Sequence, residues 1–342
     1  MSTVPTDANI RNDNRSEESP HAYRAPWWLP GGHLQTVYAS LYAPKAETTY
    51  RRERWDCTPN GQPDGDFIDV DFVDGDADKP VLVHFHGLEG SSQSQYALGF
   101  MARCKELGWT GLVAHFRGCS GELNRLPRAY HSGDSTEIDW IVRRVAARYP
   151  QQRIFAVGVS LGGNATLKWL GERNSEAAGL LHAAVAVSAP VDLMAAGEAL
   201  GRGFSLNYAK HFLSTMQAKA ERMHANHPGV FDLAAMRTAR NLREYDNVVT
   251  APVHGYRDTD DYWTRASSKP GLADVAVPTL VLNAKNDPFL PASALPTKAQ
   301  VSSHVTLHFP EHGGHVGWPA PAFPGRTTWL TDRVFNFLQH GT

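Results

Sequence analysis

The stretch RIFAVGVSLGGNATLKWLGE, residues 153–172, decides how the rest of the chain is read. Its first half is an unbroken apolar run, the pattern of a strand buried on both faces of a parallel sheet. Its second half reads as a helix over 161–173, and between them stands Gly158-x-Ser160-x-Gly162. The pattern G-x-S-x-G alone proves little, since an incidental strand-to-helix turn can carry it. Its position between a buried strand and a helix is what points to a nucleophile elbow. There the serine occupies a strained turn, and small neighbours let strand and helix approach closely. The helix N-terminus also offers unpaired N–H groups where an oxyanion would form. Ser160 is therefore the candidate nucleophile.

Working outward, four more apolar runs bounded by glycine or proline repeat the strand pattern: VLVHFHG (81–87), TGLVAHFRG (110–118), AAVAVSAP (183–190) and PTLVLNAKND (278–287). Further helices are expected over about 94–107 and 134–148, so the rhythm is that of an α/β sheet wound by right-handed crossovers. Ahead of them DFIDVDFVDG (66–75) alternates apolar and acidic residues and predicts a half-exposed antiparallel strand at the sheet edge. The expected fold class is α/β, an α/β-hydrolase fold with a mostly parallel central sheet.

That rhythm breaks between Pro190 and about Ala251, a span too long for one crossover helix, and a helical cap is expected there, over about 190–250. Phe204, Tyr208, Phe212 and Met216 recur every four residues; they pack a helix onto the domain, line a substrate pocket, or do both. A second helix is expected from Asp232, its N-cap, to Arg243.

A serine hydroxyl needs a base, and the base needs a carboxylate to fix its tautomer. In this architecture the partners follow in the order Ser, Asp, His. Asp287 stands at the end of the strand PTLVLNA, and His315 lies in the glycine-flanked loop of HFPEHGGHVGW (308–318). His312 is nearer the strand and His308 lies inside it, so both are weaker candidates. Asp246, Asp260 and Asp261 are rival acids, but they belong to the cap side. After the strand VLVHF, the N–H of Leu88 is placed to join that of Leu161 in an oxyanion hole, with His86 bracing the loop and His84 a strand residue.

The competing reading is a metal site built on His84, His86, His312 and His315. It lacks the pattern of metallo-hydrolases, because Gly87-Leu88-Glu89-Gly90 after His86 brings neither the Asp nor the further His that pattern needs, and there is no H-E-x-x-H helix. No metal or other cofactor is expected.

Composition excludes other classes. The chain of 342 residues is 42% hydrophobic and 20% charged, with a formal charge of −2, a balance that recruits neither nucleic acid nor acidic lipid. Cys57, Cys104 and Cys119 make an odd set with no paired spacing, which fits a reducing, cytoplasmic compartment. Residues 1–20 mix both charge signs without an apolar core and are expected to form a disordered tail rather than a signal peptide or anchor. No run approaches the ~18 apolar residues of a spanning helix, and no fixed repeat is present. One domain over 21–342 is expected, with a small molecule rather than nucleic acid as its partner. Composition leaves the oligomeric state open.

Several segments together resemble the YheT-like branch of the α/β-hydrolase superfamily, bacterial esterases related to eukaryotic membrane-anchored lipases and phospholipases. They are PWWLPGGHLQTVYASL, HGLEGSSQSQY, HFRGCSGELNRLPRAYHSG, GVSLGGNATLKWLGE, APVHGYRDTDDYWTRASS, NAKNDPFLP and EHGGHVGW, in that order across most of the chain. The resemblance implies a serine hydrolase acting on carboxylic esters, with Ser160, Asp287 and His315 on the family's triad positions. The same triad also suits an acyltransferase, a thioesterase or an amidase, and the same fold suits a non-catalytic binding protein. Two segments keep two readings each. Trp27 and Trp28 either pin the N-terminal arm or border the acyl pocket, and Arg117, Arg128 and His131 either touch a polar leaving group or fasten their own loop.

Overall fold

The computed structural model describes residues 21–341; the tail expected over 1–20 lies outside them. Eight strands form one sheet in the order β1-β2-β4-β3-β5-β6-β7-β8. They are β1 (Arg51–Asp56), β2 (Phe67–Val73), β3 (Val81–Phe85), β4 (Thr110–Ala114), β5 (Ile154–Val159), β6 (Ala183–Val187), β7 (Thr279–Leu282) and β8 (Val305–His308). From β4 across to β8 every pairing is parallel, while β2 runs antiparallel to both β1 and β4. All five apolar runs of the sequence become central strands, because only residues apolar on both sides can be covered on both faces.

The helices are α1 (Gly31–Leu41), α2 (Gln95–Glu106), α3 (Ser135–Arg148), α4 (Leu161–Arg173), α5 (Leu193–Leu200), α6 (Leu206–Asn226), α7 (Leu233–Thr238), α8 (Thr259–Ala266) and α9 (Thr328–His340), with shorter turns between them. Alternate strand residues serve opposite layers. Val81, Val83 and Phe85 pack with α3 and α4 through Ile141, Val145 and Trp169. Leu82, Val113 and Val157 pack with α2 and α9 through Phe100, Met101 and Phe335. Each such fully buried side chain contributes about 1.5–3 kcal/mol. The two layers fix the C-terminal edge of the sheet, where ligands bind in folds of this kind.

Strand β2 departs from expectation. It is buried along its whole length and is not an edge, because β1 pairs outside it. The sequence RRERWD of β1 carries no apolar alternation and gives no strand signal. Its arginines meet the acids of β2 instead: Arg52 binds Asp71 at 2.7 Å and Arg54 binds Asp69 at 2.8 Å. Asp71 also accepts from Ser92 Oγ at 2.6 Å and lies 2.9 Å from His115 Nε2. The alternating acids thus mark ion pairing across two strands rather than contact with water.

Between β6 and β7 the chain forms α5 to α8 and shorter turns. Tyr208, Phe212 and Met216 lie on α6, whereas Phe204 precedes it and is exposed. The helix expected over 232–243 is broken. Asp232 caps α7 through the N–H of Ala235 at 3.0 Å, the helix stops at Thr238, and Asn241 caps a new turn through the N–H of Glu244 at 2.9 Å. A cap-forming asparagine three residues past the stop is the local signal for that break. Asp246–Thr250 continues as a π-helical turn.

Candidate active site

Ser160 ends β5 and caps α4 with φ 52° and ψ −120°, a conformation that costs a non-glycine residue energy and is held by its surroundings. The glycines around it answer to space. A Cβ on Gly158 would lie 2.5 Å from the carbonyl oxygen of Gly162, and one on Gly162 would lie 2.4 Å from that of Phe85. Gly87 faces the serine itself, with room of only 3.1 Å to Ser160 Cβ. Helix α4 is thereby drawn against the end of β3, and the serine is raised above the sheet edge.

His315 Nε2 lies 2.9 Å from Ser160 Oγ, and its Nδ1 lies 2.9 Å from Asp287 Oδ2 and 3.2 Å from Oδ1. A carboxylate only accepts, so Nδ1 carries the proton and Nε2 is left to accept from the serine. The Asp287 side chain is fully buried and also accepts from the N–H of Phe289 at 2.8 Å. The Phe289 ring stacks on the imidazole with centroids 3.9 Å apart, covering one of its faces. The structure therefore brings Ser160, His315 and Asp287 into one hydrogen-bonded chain.

The loop carrying His315 is clamped by α1. Gln35 Oε1 accepts from the N–H of Gly313 at 2.8 Å, and Thr36 Oγ1 accepts from the N–H of His315 at 2.8 Å. Asn286, next to Asp287, accepts from the N–H of Gly314 at 2.9 Å and donates to Gln35 Oε1 at 3.1 Å. On the far side the N–H of Val316 donates to Ser188 Oγ at 3.0 Å. Gln35 and Thr36 were not singled out from sequence; the glycine pair before them, which lets Gly32 lie against the carbonyl of Asn286, is the signal that could have found them.

Leu88 sits on the loop after β3. The N–H groups on either side of it are taken, that of Gly87 by Tyr96 Oη at 3.0 Å and that of Glu89 by Tyr130 Oη at 2.8 Å. Among the described residues the N–H groups of Leu88 and Leu161 donate no hydrogen bond, and both residues line the cavity that holds Ser160 and His315. His86 braces this loop. Its Nε2 accepts from the N–H of Phe116 at 3.1 Å, so Nδ1 is protonated and donates to the carbonyl of Gly87 at 2.8 Å. Burial and neighbouring positive charge hold its pKa well below the ordinary histidine value.

The other sequence candidates fall elsewhere. His312 is exposed, with a 3.4 Å contact to Asn286, and His308 accepts from Arg333 at 2.9 Å. Arg117 is buried among Asp64, Asp66 and Glu137, and Arg128 binds Asp134, so both fasten their loop. His131 accepts from the N–H of Gly133 and lines the cavity beside Ser160. Trp28 donates to the carbonyl of Pro321 at 3.0 Å and pins the N-terminal arm, while Trp27 stands exposed. Asp260 pairs with Arg243, and Asp261 with Arg265. Asp246, bonded to Thr250 and Trp263, lines the inner cavity, and burial pushes its pKa up to about 6. Among the described residues no group of three or more His, Cys, Asp or Glu is arranged to hold a metal ion, and the four histidines considered for one are dispersed.

Two chambers meet at Ser160. The inner one is walled by Leu193, Leu200, Phe212, Met216 and Trp263. The outer one is lined by Thr36, Ser40 and Leu41 of α1, by Gln95, and by Tyr208 and His211 of α6.

A serine at a strand-to-helix turn of a mostly parallel sheet, with a histidine and an aspartate on the loops after later strands, defines the α/β-hydrolase class. The family model described as "alpha/beta hydrolase fold" matches residues 80–317, and the chain belongs to that family. It is 38% identical over 311 residues to "Putative esterase YheT" of Escherichia coli (strain K12), covering 90% of this chain and 89% of that protein. It is 30% identical over 325 residues to "Phospholipase ABHD3" of Homo sapiens, covering 92% and 78%. Among solved structures it is similar in fold to Est1E from Butyrivibrio proteoclasticus, with a TM-score of 0.52 at 13% identity over 81% of this chain and 96% of that one. These relatives support hydrolase activity. No helix among the described residues is long and apolar enough to cross a membrane.

Proposed function

We propose that this chain hydrolyses carboxylic esters through an acyl-enzyme on Ser160. The observation that carries the reading is the hydrogen-bonded chain from Asp287 through His315 to Ser160, 2.9 Å at each step. His315 Nε2 takes the hydroxyl proton as Ser160 Oγ bonds to the ester carbonyl carbon. The carbonyl oxygen, now negative, rests on the N–H groups of Leu88 and Leu161, each worth roughly 3 kcal/mol by analogy with other acyl-transfer enzymes. His315 passes the proton to the leaving alcohol as the ester C–O bond breaks. It then takes one from water as the water oxygen bonds to the acyl carbon, and gives it to Ser160 Oγ as the acyl–Oγ bond breaks and the acid leaves. Asp287 orients the ring and stays ionised throughout. Apart from water, every step uses side chains and backbone alone, so none calls for a cofactor.

Both chambers are mostly apolar, and the inner one, walled by Leu193, Leu200, Phe212, Met216 and Trp263, is assigned to the acyl chain. Residues of about 190–250 act as a cap over the inner chamber, since Phe212 and Met216 face it from above. The relatives named esterase and phospholipase support an ester over an amide or thioester. A fluorophosphonate probe tests the reading: the wild type is expected to be labelled and Ser160→Ala is not. No labelling of the wild type, or equal labelling of both, overturns it. A p-nitrophenyl ester series from acetate to palmitate then reads the length of the inner chamber as the point where kcat/KM falls.

A further inference from the structure

Among the described residues six large apolar side chains stand exposed, and they gather on one face: Trp27 (89%), Phe323 (80%), Tyr42 (69%), Leu41 (67%), Phe204 (55%) and Leu34 (49%). Contacts join the segments that carry them. Trp28 packs on Phe323 and Tyr38, and Tyr38 on Tyr42. His33 packs on Phe204 with centroids 4.8 Å apart. Leu34 and Leu41, seven residues apart, share one stripe of α1. Leu41 also lines the outer chamber, so this apolar face borders the opening toward Ser160. A patch of this kind around the mouth of a site marks an interaction surface rather than scattered surface residues.

Charge on the same face is one-sided. The segments 21–46, 201–216 and 319–330 contain no Asp or Glu, in a chain with 35 acidic residues among 342. They do contain Arg24, Lys45, Arg202, Lys210 and Arg326, all exposed. Just outside these segments lie Glu198, bonded to Arg202, and Glu47, exposed two residues after Lys45. The overall balance of −2 therefore averages over a rim in which cations outnumber acids. Residues 1–20 contain Val4 and Ile10 as their only branched apolar side chains and no aromatic one, a poor cover for such a face.

We propose that this face docks on the surface of anionic lipid membranes, its apolar side chains entering the interface and its arginines and lysines facing lipid phosphate, so that the outer chamber opens onto the lipid. Apolar area and attraction to anionic headgroups are the two contributions that hold a protein at such an interface. Docking goes beyond the ester reading and does not depend on it, because binding is measured on the inactive chain.

The test is co-sedimentation of full-length Ser160→Ala with vesicles of phosphatidylcholine alone, or mixed with phosphatidylglycerol, at about 0.1 M salt. Partition onto the anionic vesicles is expected to exceed that onto phosphatidylcholine by at least about tenfold and to fall as salt is raised. Trp27→Ala with Phe323→Ala is expected to cut binding about tenfold, and Lys45→Glu with Lys210→Glu to abolish the anionic preference, with thermal melts unchanged for these exposed sites. Equal partition onto both vesicles, no partition, or indifference to both pairs of substitutions overturns the proposal. So does binding that appears only after residues 1–20 are removed. A lipid-free dimer that Trp27→Ala with Phe323→Ala dissociates also overturns it, by giving the face to a second copy.

Discussion

Two histidine-bearing loops approach the same serine and are held in opposite ways. On the loop after β3, both ring nitrogens of His86 are committed to backbone, one to the N–H of Phe116 and one to the carbonyl of Gly87. On the loop after β8, the nitrogens of His315 face a carboxylate and a hydroxyl, and the backbone rather than the ring is tied down, by Gln35, Thr36 and Asn286. A ring with both nitrogens on backbone can only hold shape. A ring between an acid and a hydroxyl can move a proton without moving the chain. The number of histidines in a loop therefore says less than what each nitrogen meets.

The comparison breaks first at the base itself. His315→Ala or Ser160→Ala is expected to lower kcat for ester hydrolysis by at least about 10⁴, whereas His312→Ala, an exposed neighbour, should change it by less than about twofold. Comparable losses at 312 and 315 would mean that the base is misassigned. The next effect belongs to the brace. His86→Leu leaves the Phe116 N–H buried without a partner, while the Gly87 carbonyl keeps the N–H of Gly90 at 3.0 Å, so urea unfolding should show a loss of about 1–3 kcal/mol. An unchanged midpoint would remove the architectural role.

A smaller effect tests the clamp. Gln35→Leu deprives Gly313 and Asn286 of a shared acceptor but touches neither ring nitrogen of His315. Its kcat is expected to fall about tenfold with KM nearly unchanged, as the imidazole loses its fixed aim. A rise in KM alone would assign Gln35 to substrate binding instead.

What the sequence made legible follows from the range of each interaction. The five central strands and Ser160 were readable because burial on both faces imposes an unbroken apolar run, and a strained serine imposes small neighbours on either side. Asp287 and His315 followed from chain order, a topological constraint. Strand β1 was not readable, since Arg52 and Arg54 pair with acids that come later in the chain, and no periodicity in RRERWD announces it. Nor was the clamp, because Gln35 and Thr36 act on a loop some 280 residues away, and polar side chains that satisfy remote backbone groups leave no local pattern. The cationic rim was hidden for a related reason: composition averages over a surface that folding sorts.

His84 gives the finest test of the contrast, because it combines a backbone bond with an unused nitrogen. Its Nδ1 lies 2.8 Å from the carbonyl of Val157, its Nε2 has no partner among the described residues, and its ring lies edge-on to Tyr96 and Phe100. Burial lowers its pKa to about 4. The folded chain therefore holds this ring neutral while the unfolded chain protonates it near pH 6.5, so the unfolded state binds more protons and stability falls as pH drops through that window. The stability is fully present above about pH 6.5 and is lost between there and about pH 4, with a limiting slope of about 1.4 kcal/mol per pH unit. His84→Phe keeps the apolar contacts and removes the titrating group, at the cost of the bond to Val157. Urea midpoints at pH 7 and pH 5.5 should show a pH-dependent loss smaller by about 1 kcal/mol in the variant than in the wild type. An identical loss in both would show that His84 takes up a proton in the folded state, and the apolar cluster around it could then not be as dry as its packing indicates.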